Sequence, residues 1–452
     1  MDQNDKRLSW KQTAFLLCVT LVTAILLTYT LTAAAWRRAY TEKLREQQEQ
    51  IDAMNDSSLA ASENLKILDS LLETYSYYAE TMDKEAMMEA AFKAYVEASG
   101  DRYAQYYTEE EYKAIDQSNQ AVLYGIGVDV VPKNFRIDGE EQVRAGFYIY
   151  DIYEGSSAKE QGVQIGDVVC GVEVDGVMKT VSELGYSAAA NAIRGEENTT
   201  VKVKIFRDAE RRYFDVVLVR RYFEAKSVSG RILESNPSVG VVRISSFDLK
   251  TPSQLKQVMA DLMAKNVAYF VFDLRNNPGG DLQSIRAVMS YFLQKGDLIL
   301  DVIDNGGAIV RSYKVDVITD QGDCNVAEQE LGMYRNLKMA VLCNENTASA
   351  AEVFTATMQD YGLAKIVGMK TFGKGIMQST KKISFGDAVG YVKFTTYAYQ
   401  TKRGESYHDV GITPDCVVDL SEEAKKQSIL LLEQDQDEQL KTAAQLLLAD
   451  HQ

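Results

Sequence analysis

Residues 339–354 read MAVLCNENTASAAEVF, an apolar run that passes through a polar turn into a helix-forming stretch. The apolar run is short and bounded by turn residues, which predicts a buried strand that ends near Cys343. The residues that follow predict a helix from about Ser349 to Tyr361. Because strand-length and helix-length segments of this kind alternate from Gly240 onward, we expect an α/β core.

Ser349 lies at the elbow where the predicted strand gives way to the predicted helix. A hydroxyl at this position can act as a nucleophile, because backbone N–H groups at the start of a helix stabilise a developing oxyanion. The same residue is also a good helix N-cap, and Glu352 three positions on completes a capping box. Taken alone, the pattern favours the cap.

The chain has two histidines, His408 and His451, so few residues could serve as the base of a Ser-His-Asp triad. Lys374 follows Ser349 in a glycine-flanked run and is the alternative base. On its own it is more typical of a surface charge, and a catalytic role requires burial that lowers its pKa to about 7. The amide of Gln378 could then orient the amine without favouring its charged form.

Residues 273–282 read DLRNNPGGDL and predict a strand end, a Pro-Gly-Gly turn and a helix start. The paired Gly279 and Gly280 allow backbone N–H groups to approach a substrate oxygen. By itself the segment is a tight turn. It becomes a candidate oxyanion site only beside a nucleophile.

Composition excludes some classes of function. The formal net charge of −16 argues against a nucleic-acid partner, because phosphate binding needs a basic face. The five cysteines are widely spread and form no CxxC pair, which argues against a zinc site. We therefore expect no zinc site, and the Ser-Lys mechanism considered below needs no metal and no cofactor.

The N-terminal part carries a nearly uncharged apolar run at residues 13–35, with the only two tryptophans, Trp10 and Trp36, on either side. Its length and its flanking aromatic residues predict a transmembrane signal anchor at 13–36. A cleaved signal peptide is the alternative, because three alanines end the run. Basic residues lie at both ends, so they do not decide the orientation.

Changes in composition divide the rest of the chain. Helical spacing predicts a stalk and a small helical region, and short strands with turn signals predict a β-rich module. The predicted divisions are the tail at 1–12, the anchor at 13–36, the helical stalk and region at 37–122, the β-rich module at 123–222, the α/β core at 223–420 and a C-terminal helical tail at 421–452.

Three segments together resemble the C-terminal processing peptidases, also called tail-specific proteases. They are residues 273–280 (DLRNNPGG), 347–352 (TASAAE) and 371–378 (TFGKGIMQ). Their order and spacing match those of the family. The resemblance implies that Ser349 is the nucleophile, Lys374 the general base and Gln378 the group that orients the lysine.

The same resemblance implies an oxyanion hole formed by the backbone N–H of Ala350 and of Gly279 or Gly280. Asp360 matches an acidic position that is expected to support the site without taking part in the chemistry. His408 is left without a catalytic role.

The resemblance extends upstream. Residues 101–112 (DRYAQYYTEEEY) are similar to the family's segment ahead of its PDZ module, and three later segments also fit PDZ patterns. Within the module, one run resembles the loop whose N–H groups capture a peptide C-terminus while the peptide adds a strand. That run consists of Tyr124, Gly125, Ile126, Gly127 and Val128.

The expected fold class is α/β, with an N-terminal transmembrane helix, a helical region, a β-rich PDZ module and a crotonase-like α/β serine peptidase core. Two positions depart from the family's pattern. Ala351 stands where a second serine is common, and Ile376-Met377 replace a smaller pair. Neither position supplies the chemistry, so the departures bear on side-pocket preference.

The implied function is that of a membrane-anchored serine endopeptidase with a Ser-Lys dyad, which recognises and cleaves proteins near their C-termini. The resemblance implies protein substrates with accessible apolar C-termini, a homodimer and a catalytic part outside the cytoplasmic membrane. Two alternatives stay open: a catalytically inactive PDZ-type receptor that binds protein C-termini, and a serine amidase that acts on small substrates.

Overall fold

The computed structural model describes Trp10, Arg45 and residues 63–120, 122–136, 143–385 and 388–449. The predicted tail and the predicted anchor at 13–36 therefore lie outside the described residues, apart from Trp10. In the described part of the chain, no helix combines the length and the apolar character that a membrane span requires. The chain divides into two units, residues 1–88 and 89–452.

The first unit contains helix α1 at residues 63–75, a short 3-10 helix at Ala79–Thr81 and the beginning of α2 (Lys84–Glu97). Lys84 forms ion pairs with Asp69 (3.2 Å) and with Glu73 of α1. These pairs are exposed, so they contribute little to stability and mainly fix the approach of the two helices.

The second unit begins with β1 (Gln105–Thr108) and α3 (Glu109–Asn119). A β-rich module follows, whose helices are α4 (Ser157–Glu160), α5 (Val181–Leu184) and α6 (Tyr186–Ile193). Its strands are β2 (Val122–Gly125), β3 (Val128–Arg136), β4 (Val143–Ile152), β5 (Val168–Val174), β6 (Val177–Thr180), β7 (Thr200–Arg207), β8 (Arg212–Val219) and β9 (Arg221–Glu224). Strands β3, β4, β5, β7 and β8 form one sheet in that order, and β2 pairs with β9 in a separate ribbon.

The module has its own apolar core. Ile149, Val172, Val203, Ile205 and Leu218 are fully buried in one cluster, and the alternation of apolar and polar residues along β7 places its apolar side chains there. Strand β3 is at the edge of the sheet, so its outer side is open to an added strand.

The α/β core follows the module. Its helices are α7 (Thr251–Ala264), α8 (Leu282–Ser290), α9 (Ala350–Asp360) and α10 (Glu438–Ala449). Its strands are β10 (Val228–Leu233), β11 (Asn236–Ile244), β12 (Tyr269–Asp273), β13 (Leu298–Ile303), β14 (Ile309–Lys314), β15 (Lys338–Cys343), β16 (Ala364–Gly368), β17 (Ile376–Phe385), β18 (Ala388–Gln400) and β19 (Cys416–Val417).

The central sheet has the order β10-β11-β12-β15-β16-β19, and it is parallel from β11 to β19. Both of its faces are buried. Phe270 and Phe272 of β12 belong to the cluster that contains α7, α8 and α9, whereas Val271 belongs to the cluster that contains α10. This two-sided burial is typical of parallel sheets. The expectation of an α/β core is confirmed, and the carboxyl ends of β12 and β15 lie side by side.

A second sheet has the order β1-β18-β13-β14, with β17 paired to β18. Strand β1 is a correction, because it lies inside the stretch 37–122 that we predicted to be helical. Its Tyr106 and Tyr107 are buried, and Tyr106 is in register with Val392 of β18. Pairing with a strand so distant in the chain decides this structure, and local spacing cannot reveal such a partner.

Candidate active site

Ser349 lies in the turn between β15 and α9, at the carboxyl edge of the parallel sheet. Its backbone has φ 56° and ψ −121°, a left-handed conformation that costs a residue with a side chain roughly 1–3 kcal/mol. The N–H of Ala348 donates to the carbonyl oxygen of Asn277 (2.9 Å), which holds the turn against the one that follows β12. Ser349 is the N-cap residue of α9 by position, and it also lines a cavity of about 340 Å³.

Glu352 connects the serine to the lysine. Its carboxylate is fully buried and accepts the backbone N–H groups of Ser349 (2.9 Å), Gly373 (2.7 Å) and Lys374 (2.7 Å), together with the hydroxyl of Thr371 (2.6 Å). Four donors compensate the burial of its charge. From the sequence we assigned Glu352 only to a capping box. The feature that could have revealed its wider role is an acidic residue in the otherwise apolar first turn of a buried helix.

Lys374 lies in the loop before β17, and its side chain is partly buried. Burial lowers the pKa of its amine below the ordinary value of 10.5 and nearby Lys393 lowers it further, whereas Glu352 acts in the opposite direction. Within the described residues, no hydrogen bond joins Nζ of Lys374 to Ser349. Nζ lies over the ring of Tyr103, 5.0 Å from its centre.

Gln378 is placed by an irregularity in the β-hairpin. The register between β17 and β18 shifts between Met377 and Gln378, and both residues line the cavity beside Ser349. In the described part of the chain, the buried Nε2 of Gln378 has no hydrogen-bond partner. The structure thus brings Gln378 to the cavity without the contact to Lys374 that the resemblance implies.

The candidate oxyanion donors lie around the same serine. A Cβ on Gly279 would be 2.7 Å from Cβ of Ser349 and 2.8 Å from the backbone nitrogen of Ala350, so only glycine permits this approach. The N–H of Gly279 donates to Oδ1 of Asn277 (2.8 Å). Within the described residues, the N–H groups of Gly280 and Ala350 have no internal backbone acceptor, and both residues line the cavity. Gly280 and Ala350 are therefore the available pair.

A buried ion-pair network fixes the turn that carries these glycines. Arg275 donates to both carboxylate oxygens of Asp273 (2.9 and 2.8 Å) and of Asp437 (2.9 and 2.8 Å), and it also donates to Gln439 (2.9 Å). Burial alone would raise the pKa of Asp273, but Arg275 lowers it to about 2. The start of the C-terminal helix α10 therefore contributes to the position of the turn that carries Gly279 and Gly280, a contact that the sequence did not reveal.

Two further residues support the site. The buried hydroxyl of Tyr399, on β18, donates to the carbonyl oxygen of Lys374 (2.6 Å), and the ring lines the cavity. Asp360, at the end of α9, accepts the hydroxyl of Thr401 (2.7 Å) and pairs with Nε of Arg403 (2.7 Å). Asp360 thus ties the helix that follows Ser349 to the end of the strand that carries Tyr399, and it lies outside the cavity lining.

Apart from Asp281, the remainder of the cavity wall is apolar. Its side chains come from α8, β13, α9 and β17, and they are Leu282, Ile285, Leu300, Val353, Ile376 and Met377. Such a wall suits an apolar group of a ligand bound beside Ser349.

A second cavity, of about 220 Å³, lies in the β-rich module. All five residues of the predicted loop, 124–128, line it, together with Ile193 of α6 and Phe223 of β9. Gly127 has φ 77°, and a Cβ there would lie 2.3 Å from Cβ of Ser156. The carbonyl oxygens of Ile126 and Gly127 accept internal N–H groups, whereas their own N–H groups have no backbone acceptor within the described residues.

His408 lies beside the lysine loop, although we assigned it no role. The position of a Cβ on Gly375 would be 3.1 Å from Cβ of His408, and the imidazole centre lies 6.4 Å from that of Tyr103. His408 does not line the cavity of Ser349. Among the described residues, no group of three or more His, Cys, Asp or Glu side chains is arranged to hold a metal ion.

The segment that carries this site is similar to one class of proteins, the peptidases of family S41. Residues 238–418 match the family model described as Peptidase family S41. The matched segment contains Gly279, Gly280, Ser349, Lys374 and Gln378.

Individual relatives agree with that class. The chain is 29% identical over 354 residues to a CtpA-like serine protease of Staphylococcus epidermidis, which covers 78% of this chain and 65% of the relative. It is also 29% identical over 370 residues to a CtpA-like serine protease of Staphylococcus aureus strain COL. That alignment covers 82% of this chain and 66% of the relative. The chain thus spans about two thirds of the length of these relatives.

A solved structure shares the fold. An S41-family protein from Bacteroides fragilis superimposes with a TM-score of 0.50 at 18% sequence identity, covering 85% of this chain and 97% of that protein. The mixed α/β architecture is therefore similar to that of an S41 structure, and this likeness concerns the fold alone.

Proposed function

We propose that the protein is a serine endopeptidase in which Ser349 is the nucleophile and Lys374 the general base. The observation that carries this proposal is the buried carboxylate of Glu352, which binds the backbone N–H groups of Ser349 and Lys374 at the same time. A rigid link of this kind fixes the spacing of two groups that must exchange a proton. The family match of residues 238–418 supports the same class of reaction.

The proposed reaction is an acyl transfer. Neutral Lys374 takes the proton of the Ser349 hydroxyl while Oγ forms a bond to the substrate carbonyl carbon, and the N–H groups of Gly280 and Ala350 bind the oxyanion. The C–N bond then breaks, and the ammonium of Lys374 gives its proton to the leaving amine. Water repeats the sequence on the acyl-enzyme and releases the acid.

No hydrogen bond joins Nζ of Lys374 to Ser349 in the described structure. The proposal therefore requires the lysine side chain to rotate toward Ser349 before the reaction. Gln378 supports that step. Its buried Nε2 has no partner among the described residues, so a change in its rotamer that presents the amide oxygen to the amine breaks no existing hydrogen bond of that nitrogen.

The pH dependence of cleavage tests the proposal. Because the base must be neutral and its pKa is lowered, kcat/KM for an unfolded protein substrate is expected to rise with pH through the lowered pKa and to level off below 10.5. Ser349→Ala serves as the blank in the same assay. A wild-type protein that cleaves nothing at any pH would instead favour the inactive receptor. If kcat/KM rises with a midpoint at pH 10.5, the base is not buried and the proposal is contradicted.

We further propose that the β-rich module at 123–222 is a PDZ module that binds peptide C-termini. Support comes from the 220 Å³ cavity beside the edge strand β3 and from the N–H groups of Ile126 and Gly127, which lack internal acceptors within the described residues. A peptide that adds a strand to β3 would bring its carboxylate to these groups. The apolar lining at Val128, Phe147 and Ile193 favours an apolar last residue.

Amidation of a peptide's C-terminus is expected to weaken its binding by at least tenfold, because the amide loses the charge that the loop N–H groups would bind. Titration of a fluorescent peptide with an apolar last residue measures this effect. The matched control is the same peptide pair with an aspartate as its last residue, which should bind weakly in both forms. Equal binding of the acid and the amide would remove carboxylate capture from the proposal.

Attachment to the membrane through residues 13–36, a catalytic part outside the cytoplasmic membrane and a homodimer complete the proposed function. These three points rest on the apolar run and on the resemblance described above. Membrane fractionation, protease accessibility in intact cells and sedimentation of the protein are the measurements that bear on them.

A further inference from the structure

A segment that precedes the β-rich module in the chain lies against the lysine loop. Asp101 accepts the backbone N–H (2.7 Å) and the hydroxyl (3.0 Å) of Thr395, a residue of β18. Thr395 is in register with Gln378 of β17. The start of this segment is therefore fixed on the hairpin that carries the cavity wall.

Tyr103 is the residue of this segment that meets the candidate base. Nζ of Lys374 lies 5.0 Å from its ring centre, within the range of a cation–π contact. Arg102 donates to the Tyr103 hydroxyl (2.6 Å) and also pairs with Asp409, and the Tyr103 N–H donates to Asp101 (2.9 Å). The ring is thus held at its hydroxyl and at its backbone, and the mechanism described above does not use it.

We propose that Tyr103 is a positioning residue for Lys374: its ring closes one side of the recess around Nζ, excludes water from it and limits the orientations from which the amine turns to Ser349. This inference rests on the proposed function, because Tyr103 would act on the lysine that is the base of the proposed reaction. An aromatic ring can displace water there without accepting a proton. A carboxylate in the same place would instead stabilise the protonated, charged form of the lysine.

The charged and titratable groups around the recess come from four elements. Glu352 is on α9, Lys393 is on β18, Arg102 precedes β1, and His408 and Asp409 are in the loop after β18. Burial is the largest influence on the amine and lowers its pKa, whereas the ring face favours the ammonium. Because burial dominates, removing the ring is expected to raise the pKa of Lys374.

The experiment compares full-length wild type with Tyr103→Ala, Tyr103→Phe and the matched control Tyr112→Ala. Tyr112 stacks on Tyr391 of β18 (3.9 Å), so its removal also loosens an aromatic contact of the same N-terminal segment with β18 but leaves Lys374 untouched. Two quantities are measured in each protein: the pH profile of kcat/KM, and the pH profile of Lys374 acetylation by acetic anhydride, read by mass spectrometry of its peptide. Only the neutral amine reacts, so the second profile reports the amine without requiring peptidase activity.

For Tyr103→Ala we expect both profiles to move upward by about one pH unit, with about a tenfold loss of kcat/KM near pH 7. Tyr103→Phe keeps the ring and should match wild type, as should Tyr112→Ala in the acetylation profile. If Tyr103→Ala fails to fold, Tyr103→Leu, which keeps apolar bulk but loses the ring, should move both profiles in the same direction by a smaller amount.

Unchanged or lowered profiles in Tyr103→Ala would overturn the proposal, as would an equal upward movement in Tyr112→Ala. A gain of activity in Tyr103→Ala would also overturn it, because the ring would then restrain the lysine away from Ser349. A wild-type protein without peptidase activity contradicts the proposed function, whereas the acetylation profiles still decide whether Tyr103 shields Lys374.

Discussion

Lys374→Ala is expected to lower kcat for cleavage of an unfolded protein by about 10³-fold or more, with a much smaller change in KM. The variant loses the group that takes the proton of Ser349, and general-base catalysis contributes roughly 10²–10⁴-fold in enzymes. The truncation removes a partly buried side chain without a hydrogen bond to Ser349 in the described structure, so the fold should persist. Measured kcat and KM across pH, with circular dichroism as a check on folding, give the result.

The matched control for Lys374→Ala is Lys370→Ala. Lys370 lies just before the same loop, but its side chain is exposed, and its removal should leave kcat within about twofold of wild type. Cleavage by Lys374→Ala at the wild-type rate would remove the dyad from the mechanism. An equal loss in both lysine variants would point to a general effect of charge.

Glu352→Gln is expected to affect both stability and catalysis. The carboxylate accepts four hydrogen bonds, and an amide in its place directs an NH₂ group at backbone donors and leaves at least one of them unpaired. Loss of charge-assisted bonds at a fully buried position should lower the free energy of unfolding by about 3 kcal/mol. Because the same bonds hold Ser349 and Lys374 together, kcat should fall by about 10²-fold even in the folded protein.

Denaturant unfolding and the rate of labelling of Ser349 by a fluorophosphonate separate the two effects of Glu352→Gln. The control is Glu345→Gln, an exposed position in the turn before Ser349, which should match wild type in both measurements. Wild-type stability in Glu352→Gln would show that the four bonds are not net stabilising. A normal labelling rate in the folded fraction would refute the role of the carboxylate in aligning the dyad.

Local sequence patterns suffice for part of this molecule. The apolar run before Cys343 and the helix-forming stretch after Ser349 correspond to β15 and α9, because both elements follow from periodicity and from the residues that cap them. The paired glycines at 279 and 280 were recognisable as positions where the backbone makes a close approach.

The partners of the lysine could not be obtained in this way. Glu352, Tyr399 and Tyr103 reach the lysine loop from α9, β18 and the segment before β1, and each is an ordinary residue in its local context. Strand β1 was likewise hidden inside a stretch with helical spacing, because its pairing with β18 joins distant parts of the chain.

The amino-acid sequence determines the α/β class, the elbow at Ser349 and the glycine turns, since these follow from local periodicity and from backbone conformations that few residues adopt. Tertiary structure alone decides that Glu352 binds the backbone N–H groups of both Ser349 and Lys374, that the N–H of Gly279 is already occupied and that the Tyr103 ring lies beside the Lys374 amine. The physical reason is that hydrogen bonding, burial and the pKa of a buried amine depend on which distant segments the fold brings into contact.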